Sequence, residues 1–285
     1  MSMQEGTAER LARLGYAARG VVYVIVGGLA VLAALGNGGG TTDTRGALYA
    51  VLSQPFGWFL LGAVALGLLC FAAWRVAQSL LDADHLGTEW KALARRIGFA
   101  GSAVANGLLA LTAITILVGT AGGARDGEGA TRDWTAYLLA APFGQWLVGA
   151  LGLLVIGIGI GVGVRGWGGG FAEHLALDDA QRRWVIPLGR IGYLARALVF
   201  VMVGGFLVVA AIQADPGEAA GLAGALRALQ AQPYGWVLLG ATALGLFAFG
   251  AFQFAVARYR HIDAPDLRDG VAAVSRQAKA AVQRL

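Results

Sequence analysis

The chain has 285 residues, of which 57% are hydrophobic and only 14% are charged. Soluble domains carry about 25% charged residues, so this composition excludes an ordinary soluble enzyme, a disordered regulator and a nucleic-acid-binding domain. The net charge of +5 comes from basic residues between long apolar runs, which is typical of membrane topology control rather than of nucleic-acid binding. We therefore predict an all-α, polytopic membrane protein.

Six apolar segments are long enough to cross a bilayer, which takes about 20 residues. They are residues 14–35, 56–78, 97–119, 143–164, 191–212 and 234–257. The first could be mistaken for a signal peptide, but residues 1–13 before it include acidic Glu5 and Glu9, and its pattern recurs later in the chain. We interpret it as a retained transmembrane helix.

Basic residues are distributed unevenly between the two sides of this arrangement. Of 22 Lys and Arg, only four lie on one side, at positions 45, 125, 132 and 227. The positive-inside rule then places both termini in the cytoplasm. The tail, residues 258–285, has the pattern of a basic amphipathic helix, which predicts contact with anionic inner-leaflet lipids; a simple solvated tail is the alternative.

The chain contains a repeat, seen first in three similar openings of apolar segments. These are Gly15–Arg19, Gly98–Ser102 and Gly192–Arg196. A second unit with proline, an aromatic residue and glycine also occurs three times, at Gln54–Trp58, Ala141–Gln145 and Gln232–Trp236. The simplest account is three copies of a two-helix hairpin, at residues 14–80, 97–165 and 190–257.

Each copy contains an even number of spans, so all three insert into the membrane in the same direction. Such parallel repeats are related by an axis along the membrane normal. A pseudo-threefold bundle is one arrangement that satisfies this pattern, and a linear row of hairpins is the other.

These motifs and their triplication resemble the bacterial membrane family named domain of unknown function 1206. The resemblance covers nearly the whole chain, and copy two departs from it most, with Ser102 in place of arginine and Gln145 in place of tryptophan. It implies a multi-pass protein of the bacterial inner (plasma) membrane. It implies no activity and no catalytic residues.

Polar residues recur near the start of the first helix of each copy. Tyr16, Arg19 and Tyr23 are spaced to share one helix face. The other copies place Tyr193 and Arg196, or Ser102 and Asn106, at related positions. One interpretation is an interfacial anchor with aromatic packing. The other is a site where arginine meets an anion, a lipid headgroup or a partner carboxylate, since intramembrane ionisable groups are candidates for function.

The proline units predict structural elbows at the start of the second helix of each copy. Proline suits the first turn of a helix, and the aromatic residues beside it suit headgroup depth. Short amphipathic stretches before each proline, at residues 46–53, 134–140 and 224–230, predict interfacial helices. The elbow residues are Pro55, Gly57, Trp58, Pro142, Gly144, Pro233, Gly235 and Trp236.

Glycine pairs four residues apart predict close helix packing, among them Gly157 with Gly161 and Gly159 with Gly163. The three histidines, His85, His174 and His261, each follow the second helix of a copy. They could converge on a metal in a threefold bundle, but their register is loose, so we expect no metal site. No histidine lies within a span, which argues against a transmembrane b-type haem, and we expect no cofactor.

The sequence contains no recognisable catalytic constellation. We therefore expect a non-enzymatic membrane protein that packs with itself, with lipid or with a membrane partner. The alternative is a small-solute or ion facilitator with a pathway along the pseudo-threefold axis. A membrane enzyme or a quinone-binding subunit is a third, weaker hypothesis.

Overall fold

The computed structural model describes residues 3–36, 41–80, 89–119, 127–172 and 175–260. These ranges contain nine α-helices and one turn of 3₁₀ helix. They are α1 (Met3–Ala34), α2 (Thr44–Leu52), α3 (Gly57–Leu80), α4 (Trp90–Leu117), α5 (Gly127–Leu139), α6 (Gly144–Gly168), α7 (Asp179–Gln213), the 3₁₀ turn Pro216–Glu218, α8 (Leu222–Gln230) and α9 (Gly235–Tyr259).

Six of the helices, α1, α3, α4, α6, α7 and α9, are long and apolar enough to cross a membrane. The prediction of an all-α, multi-pass membrane protein is thus confirmed. The helices extend beyond the predicted apolar segments, because polar residues can continue a helix outside the hydrocarbon layer. α7 begins at Asp179 behind a capping box, in which the Asp178 and Gln181 side chains each accept a hydrogen bond from the other residue's backbone N–H.

Each span that follows an elbow begins two residues beyond its proline. α3 begins at Gly57 and not at Pro55, because Phe56 between them has a left-handed backbone with a φ of 59°. The aromatic residues of the other two elbows, Phe143 and Tyr234, repeat this conformation with φ values of 61° and 58°. The predicted placement of the prolines in the first helical turn was therefore wrong.

Steric crowding requires a glycine after each of these aromatic residues. A Cβ added at Gly57 would lie 1.9 Å from the carbonyl oxygen of Leu52, at the end of the preceding short helix. A Cβ at Gly235 would meet the carbonyl oxygen of Gln230 at 2.0 Å. The span therefore starts directly against the carboxyl end of the short helix, and only glycine fits there.

The spans are arranged as a ring that is open at one place. Neighbouring helices pack in the order α4, α3, α1, α9, α7 and α6. Three of these contacts join one copy to the next and are equivalent: Gly62 faces Leu117, Gly149 faces Ala211, and Gly240 faces Ala34. The repeats thus follow a pseudo-threefold pattern in which the most extensive contacts lie between copies rather than within them.

Contacts within a copy differ between copies. In copies one and three, Gly67 and Gly245 of the second helix lie directly against Ala18 and Ala195 of the first. In copy two the matching position is Leu154, which is exposed, and no extensive contact joins α4 and α6 among the described residues. We call this opening between α4 and α6 the seam.

The glycines of α6 divide between two faces. Gly159 and Gly163 lie against α7, whereas a Cβ added at Gly157 or Gly161 would meet no protein atom within 4 Å. Only one of the two predicted glycine pairs therefore packs on a neighbouring helix. The other pair lies on a face that the described part of the chain leaves open.

The two ends of the bundle differ. At the elbow end, where α2, α5 and α8 lie, one cluster of buried apolar side chains fills the interior; it includes Val26, Leu61 and Leu239. Leu48 of α2 and Leu226 of α8 are fully buried in the same cluster, so the short helices cover its end. At the basal end, where α1, α4 and α7 begin and α3, α6 and α9 end, a second buried apolar cluster, which includes Phe71, Val185 and Phe252, lies beside several arginines.

Candidate anion-binding pocket

A basic pocket opens at the basal end of the bundle. It has a volume of about 80 Å³, which is space for several water molecules. Side chains from all six spans and from the segments beside α7 and α9 line it. They are Tyr16, Arg19, Arg75, Phe99, Arg165, Phe171, Leu175, Tyr193, Arg196, Phe249, Phe252, Gln253, Val256 and Arg260.

Five arginines reach this pocket by different routes. Arg19 and Arg196 occupy the same repeat position, one and a half turns inside the apolar segments of α1 and α7. Arg75 comes from α3 and Arg165 from α6, while Arg260 follows the end of α9. Because second helices run antiparallel to first helices, the late residues of α3 and α6 meet the early residues of α1 and α7.

Three of these guanidinium groups alternate with aromatic rings across the pocket. Arg75 lies 4.9 Å from the ring centre of Phe99 and 4.8 Å from that of Phe71. The Arg19 guanidinium group lies 5.1 Å from the ring centre of Phe71 and 5.5 Å from that of Phe249, so Arg19 and Arg75 share the Phe71 ring.

The alternation continues on α7. Arg196 lies 5.1 Å from the ring centre of Phe249 and 4.8 Å from that of Phe200. The Tyr23 ring is shared as well, at 5.6 Å from Arg19 and 5.9 Å from Arg196. Each such contact stabilises a cation by about 0.5–2 kcal/mol, most where water is excluded. The rings therefore offset part of the cost of holding several positive charges together.

Several buried donors in the pocket have no hydrogen-bond acceptor. Gln253 is only 3% exposed, and its Nε2 has no partner among the described residues. The Nε atoms of Arg75 and Arg196 are in the same state. Arg75 does donate from NH1 to Oε1 of Gln78 at 3.0 Å, and Arg260 donates to the hydroxyl of Tyr16 at 2.6 Å.

No carboxylate lines the pocket within the described part of the chain. Buried charges are normally paired, and arginine in particular binds carboxylate and phosphate through several N–H groups at once. Arg19, which is 7% exposed, is held by ring faces instead of by an acid. The chemistry that this arrangement supports is the binding of an anion.

The structure brings most of the predicted polar residues together. Tyr16, Arg19, Tyr193 and Arg196 line the pocket, and Tyr23 lies between the two arginines. Ser102 and Asn106 do not take part. They are bonded to each other on α4, where Asn106 Nδ2 donates to the Ser102 carbonyl oxygen at 2.7 Å.

The elbow residues lie at the opposite end of the molecule from this pocket. Trp58 and Trp236 are exposed there, as headgroup contact requires. In copy two, which has Gln145 at that position, the adjacent Trp146 is exposed instead. The candidate metal ligands His85, His174 and His261, and the tail from residue 261 onward, fall outside the described residues.

Sequence reasoning missed four polar residues of the pocket: Arg75, Arg165, Gln253 and Arg260. A signal was available for two of them. Arg75 and Gln253 each stand 20 residues after the proline of their copy, so both are polar residues at one repeat position within an apolar helix. That coincidence indicates that the two residues share an environment. Which residues surround them depends on how the six spans are arranged.

The fold and the pocket define a multi-pass membrane protein of three tandem two-helix repeats. The family described as Domain of Unknown Function (DUF1206) matches the chain three times, over residues 14–82, 97–169 and 191–260. The chain belongs to this family. It is also 34% identical over 257 residues to an uncharacterized protein, YxxB, of Bacillus subtilis (strain 168), a match that covers 89% of this chain and 92% of that one. No solved structure matches the chain.

Proposed function

We propose that this protein acts by binding an anionic group in the basal pocket, and that it is not an enzyme. The observation that supports this proposal is that five arginines and the buried Gln253 amide line one cavity. Among the described residues, no carboxylate lines it. The bound group is a phosphate or a carboxylate, because these anions match the planar donors of arginine.

The energetics favour a bound anion. An arginine at the bilayer centre costs about 2.5–3.5 kcal/mol and less near the interface. Here several guanidinium groups also repel one another, and ring contacts offset only part of this cost. An anion would neutralise the charges and accept hydrogen bonds from the guanidinium groups that line the pocket.

The size of the pocket limits what can enter. A volume of about 80 Å³ is on the scale of a few water molecules. This supports one phosphate or carboxylate group rather than a whole nucleotide or sugar. Any larger part of the ligand would lie outside the pocket.

The charge distribution of the sequence supports a cytoplasmic position for the pocket. With 18 of 22 basic residues on the basal side, the positive-inside rule places that side, and both termini, in the cytoplasm of a plasma-membrane protein. The available anions there include the headgroups of the inner leaflet and phosphorylated solutes. The same distribution supports contact of the basic tail with anionic lipids.

Equilibrium binding to the purified protein in neutral detergent tests this proposal. Isothermal titration calorimetry with glycerol 3-phosphate and with inorganic phosphate should show saturable binding. Arg75→Gln should weaken it about ten- to a hundredfold, since a hydrogen bond to a charged group contributes about 1.5–3 kcal/mol. Arg183→Gln, which removes an exposed charge at the start of α7, is the matched control and should bind as the wild type does. Absence of binding by the wild type contradicts the proposal.

The alternative remains a small-solute facilitator with a pathway along the pseudo-threefold axis. The basal pocket supplies an entrance for an anion, but the buried cluster of Val26, Leu61 and Leu239 fills the interior toward the elbow end. A pathway would therefore need rearrangement of this cluster. Anion flux into proteoliposomes that exceeds flux into protein-free vesicles, and that falls with Arg75→Gln, would support the facilitator.

A further inference from the structure

The seam between α4 and α6 is the one place where the ring of spans does not close among the described residues. Its origin is visible in the repeat positions. Phe71 and Phe249 pack against Gly15 and Gly192 within copies one and three, and they are 0% and 1% exposed. The matching residue of copy two, Ile158, is 46% exposed.

The α4 side of the seam is unusually low in side-chain volume. Gly98 and Gly101 stand where the other copies make their tightest contacts within a hairpin. A Cβ added to either glycine would meet no protein atom within 4 Å. Across the seam, Gly161 is equally open, and Leu154 is exposed. The seam is thus lined by apolar and glycine surface that the described chain does not cover.

The seam leads to the basic pocket at its basal end. Phe99 of α4 and Arg165 of α6, the two helices that border the seam, both line that pocket. The apolar seam and the cluster of guanidinium groups are therefore bordered by the same two helices. A soluble anion would use only the second of these surfaces.

We infer that the ligand is an anionic phospholipid, with its phosphate in the basal pocket and an acyl chain in the seam. This inference rests on the proposed function, since it requires that the pocket bind an anion. Charge complementarity favours an anionic lipid over a zwitterionic one. The headgroup of a zwitterionic lipid carries an amine, which the five arginines of the pocket would repel. The small pocket volume fits a headgroup phosphate, and the seam accommodates the acyl chain that a pocket of this size excludes.

Lipid retention tests the inference. The protein is reconstituted in nanodiscs of phosphatidylcholine with a minor fraction of phosphatidylglycerol, released into neutral detergent, and analysed by native mass spectrometry. We expect phosphatidylglycerol to be retained in preference to phosphatidylcholine. Gly101→Leu, which fills the seam, should reduce this retention about tenfold, as loss of about 1.4 kcal/mol of binding free energy does. Gly205→Leu adds the same side chain at an open position on α7 and should retain lipid normally.

A soluble arm separates the two proposals. Glycerol 3-phosphate carries the phosphate without acyl chains, so Gly101→Leu should bind it with wild-type affinity, whereas Arg75→Gln should bind both ligands weakly. If wild-type protein binds neither ligand, the proposed function fails and this inference fails with it. If it binds glycerol 3-phosphate but retains both lipids equally, only the lipid inference is overturned.

A second seam variant guards against a disturbed pocket. If Gly101→Leu also loses affinity for glycerol 3-phosphate, the test passes to Gly161→Leu, which fills the seam from the α6 side. Unchanged lipid retention in Gly161→Leu overturns the inference. Mass spectra also report the number of chains. A dimer that Gly101→Leu converts to monomer, with lipid retention unaffected, would show that a second copy and not a lipid occupies the seam.

Discussion

The elbow end and the basal end of the bundle are built from the same three repeats, but the repeats agree at one end and diverge at the other. Each elbow has a proline, a left-handed aromatic residue and a glycine that touches the preceding helix. At the basal end the position 20 residues after the proline is Arg75, Val162 or Gln253.

This difference separates two demands on the sequence. The elbow satisfies a backbone geometry that every copy must adopt, so the same residues are needed three times. The basal pocket is one cavity shared by three copies, so identical residues there would triple the charge or the bulk at a single place. The repeats therefore share their turns, whereas in the basal pocket only two copies share the arginine of the first helix, Arg19 and Arg196.

The largest expected effect is at the elbows. Gly57→Ala should lower the free energy of unfolding by about 2–3 kcal/mol, because the new Cβ overlaps the carbonyl oxygen of Leu52 and the helix start must shift. Denaturant unfolding in detergent micelles, followed by circular dichroism, measures it. Gly28→Ala is the control, since nothing opposes a Cβ there, and it should be neutral or stabilising. Equal stabilities of the two variants would contradict the steric account of the elbow.

The next effect concerns Glu128, which caps α8 from another copy. This carboxylate of α5 is 3% exposed and accepts hydrogen bonds from the backbone N–H groups of Gly221 and Gly224, the latter at 2.8 Å. Glu128→Ala should cost about 1–3 kcal/mol of unfolding free energy, because two N–H groups lose their acceptor. Arg227→Ala removes only the ion pair between this carboxylate and an exposed guanidinium group and should cost less than about 1 kcal/mol. A larger cost for Arg227→Ala would show that charge pairing, not capping, is the role of Glu128.

A smaller effect is expected at the equivalent cap in copy one, where the capping residue directly precedes the helix that it caps. Asp43 accepts a hydrogen bond from the Gly46 N–H at 2.8 Å, at the start of α2. Asp43→Ala should lower the unfolding free energy by about 1 kcal/mol. Asp43→Ser, which retains an acceptor oxygen, should recover most of this loss in the same unfolding measurement, and failure to do so would contradict the capping role.

The smallest change in stability, and one of opposite sign, is expected at the basal end. Gln253→Leu removes a buried amide whose Nε2 has no partner, so the unfolding free energy should be unchanged or higher by up to about 1 kcal/mol. Affinity for glycerol 3-phosphate should fall in the same variant, because the amide no longer donates to the anion. Unfolding and calorimetry on one preparation measure both quantities. A strong loss of stability with unchanged affinity would mean that Gln253 supports the fold and not the site.

Much of the architecture follows from local sequence. The apolar runs indicate six spans because a bilayer core requires about 20 apolar residues, and this requirement does not depend on neighbours. The elbows could be located from three copies of one short motif, although their left-handed aromatic residue could not, since phenylalanine and tyrosine rarely adopt positive φ. The pair Arg19 and Arg196 could be named from the repeat alone.

The sequence by itself determined the membrane class, the number of spans, the triplication and two of the arginines, because each depends on composition or on spacing along the chain. Only the tertiary structure decided which copy stays open and which residues share the basal pocket. Arg75, Arg165 and Gln253 lie on different helices, and they meet because packing places the late turns of second helices against the early turns of first helices. Leu154 of copy two stands where the other copies have Gly67 and Gly245. Only the tertiary structure shows that these glycines contact Ala18 and Ala195, a contact that a leucine prevents.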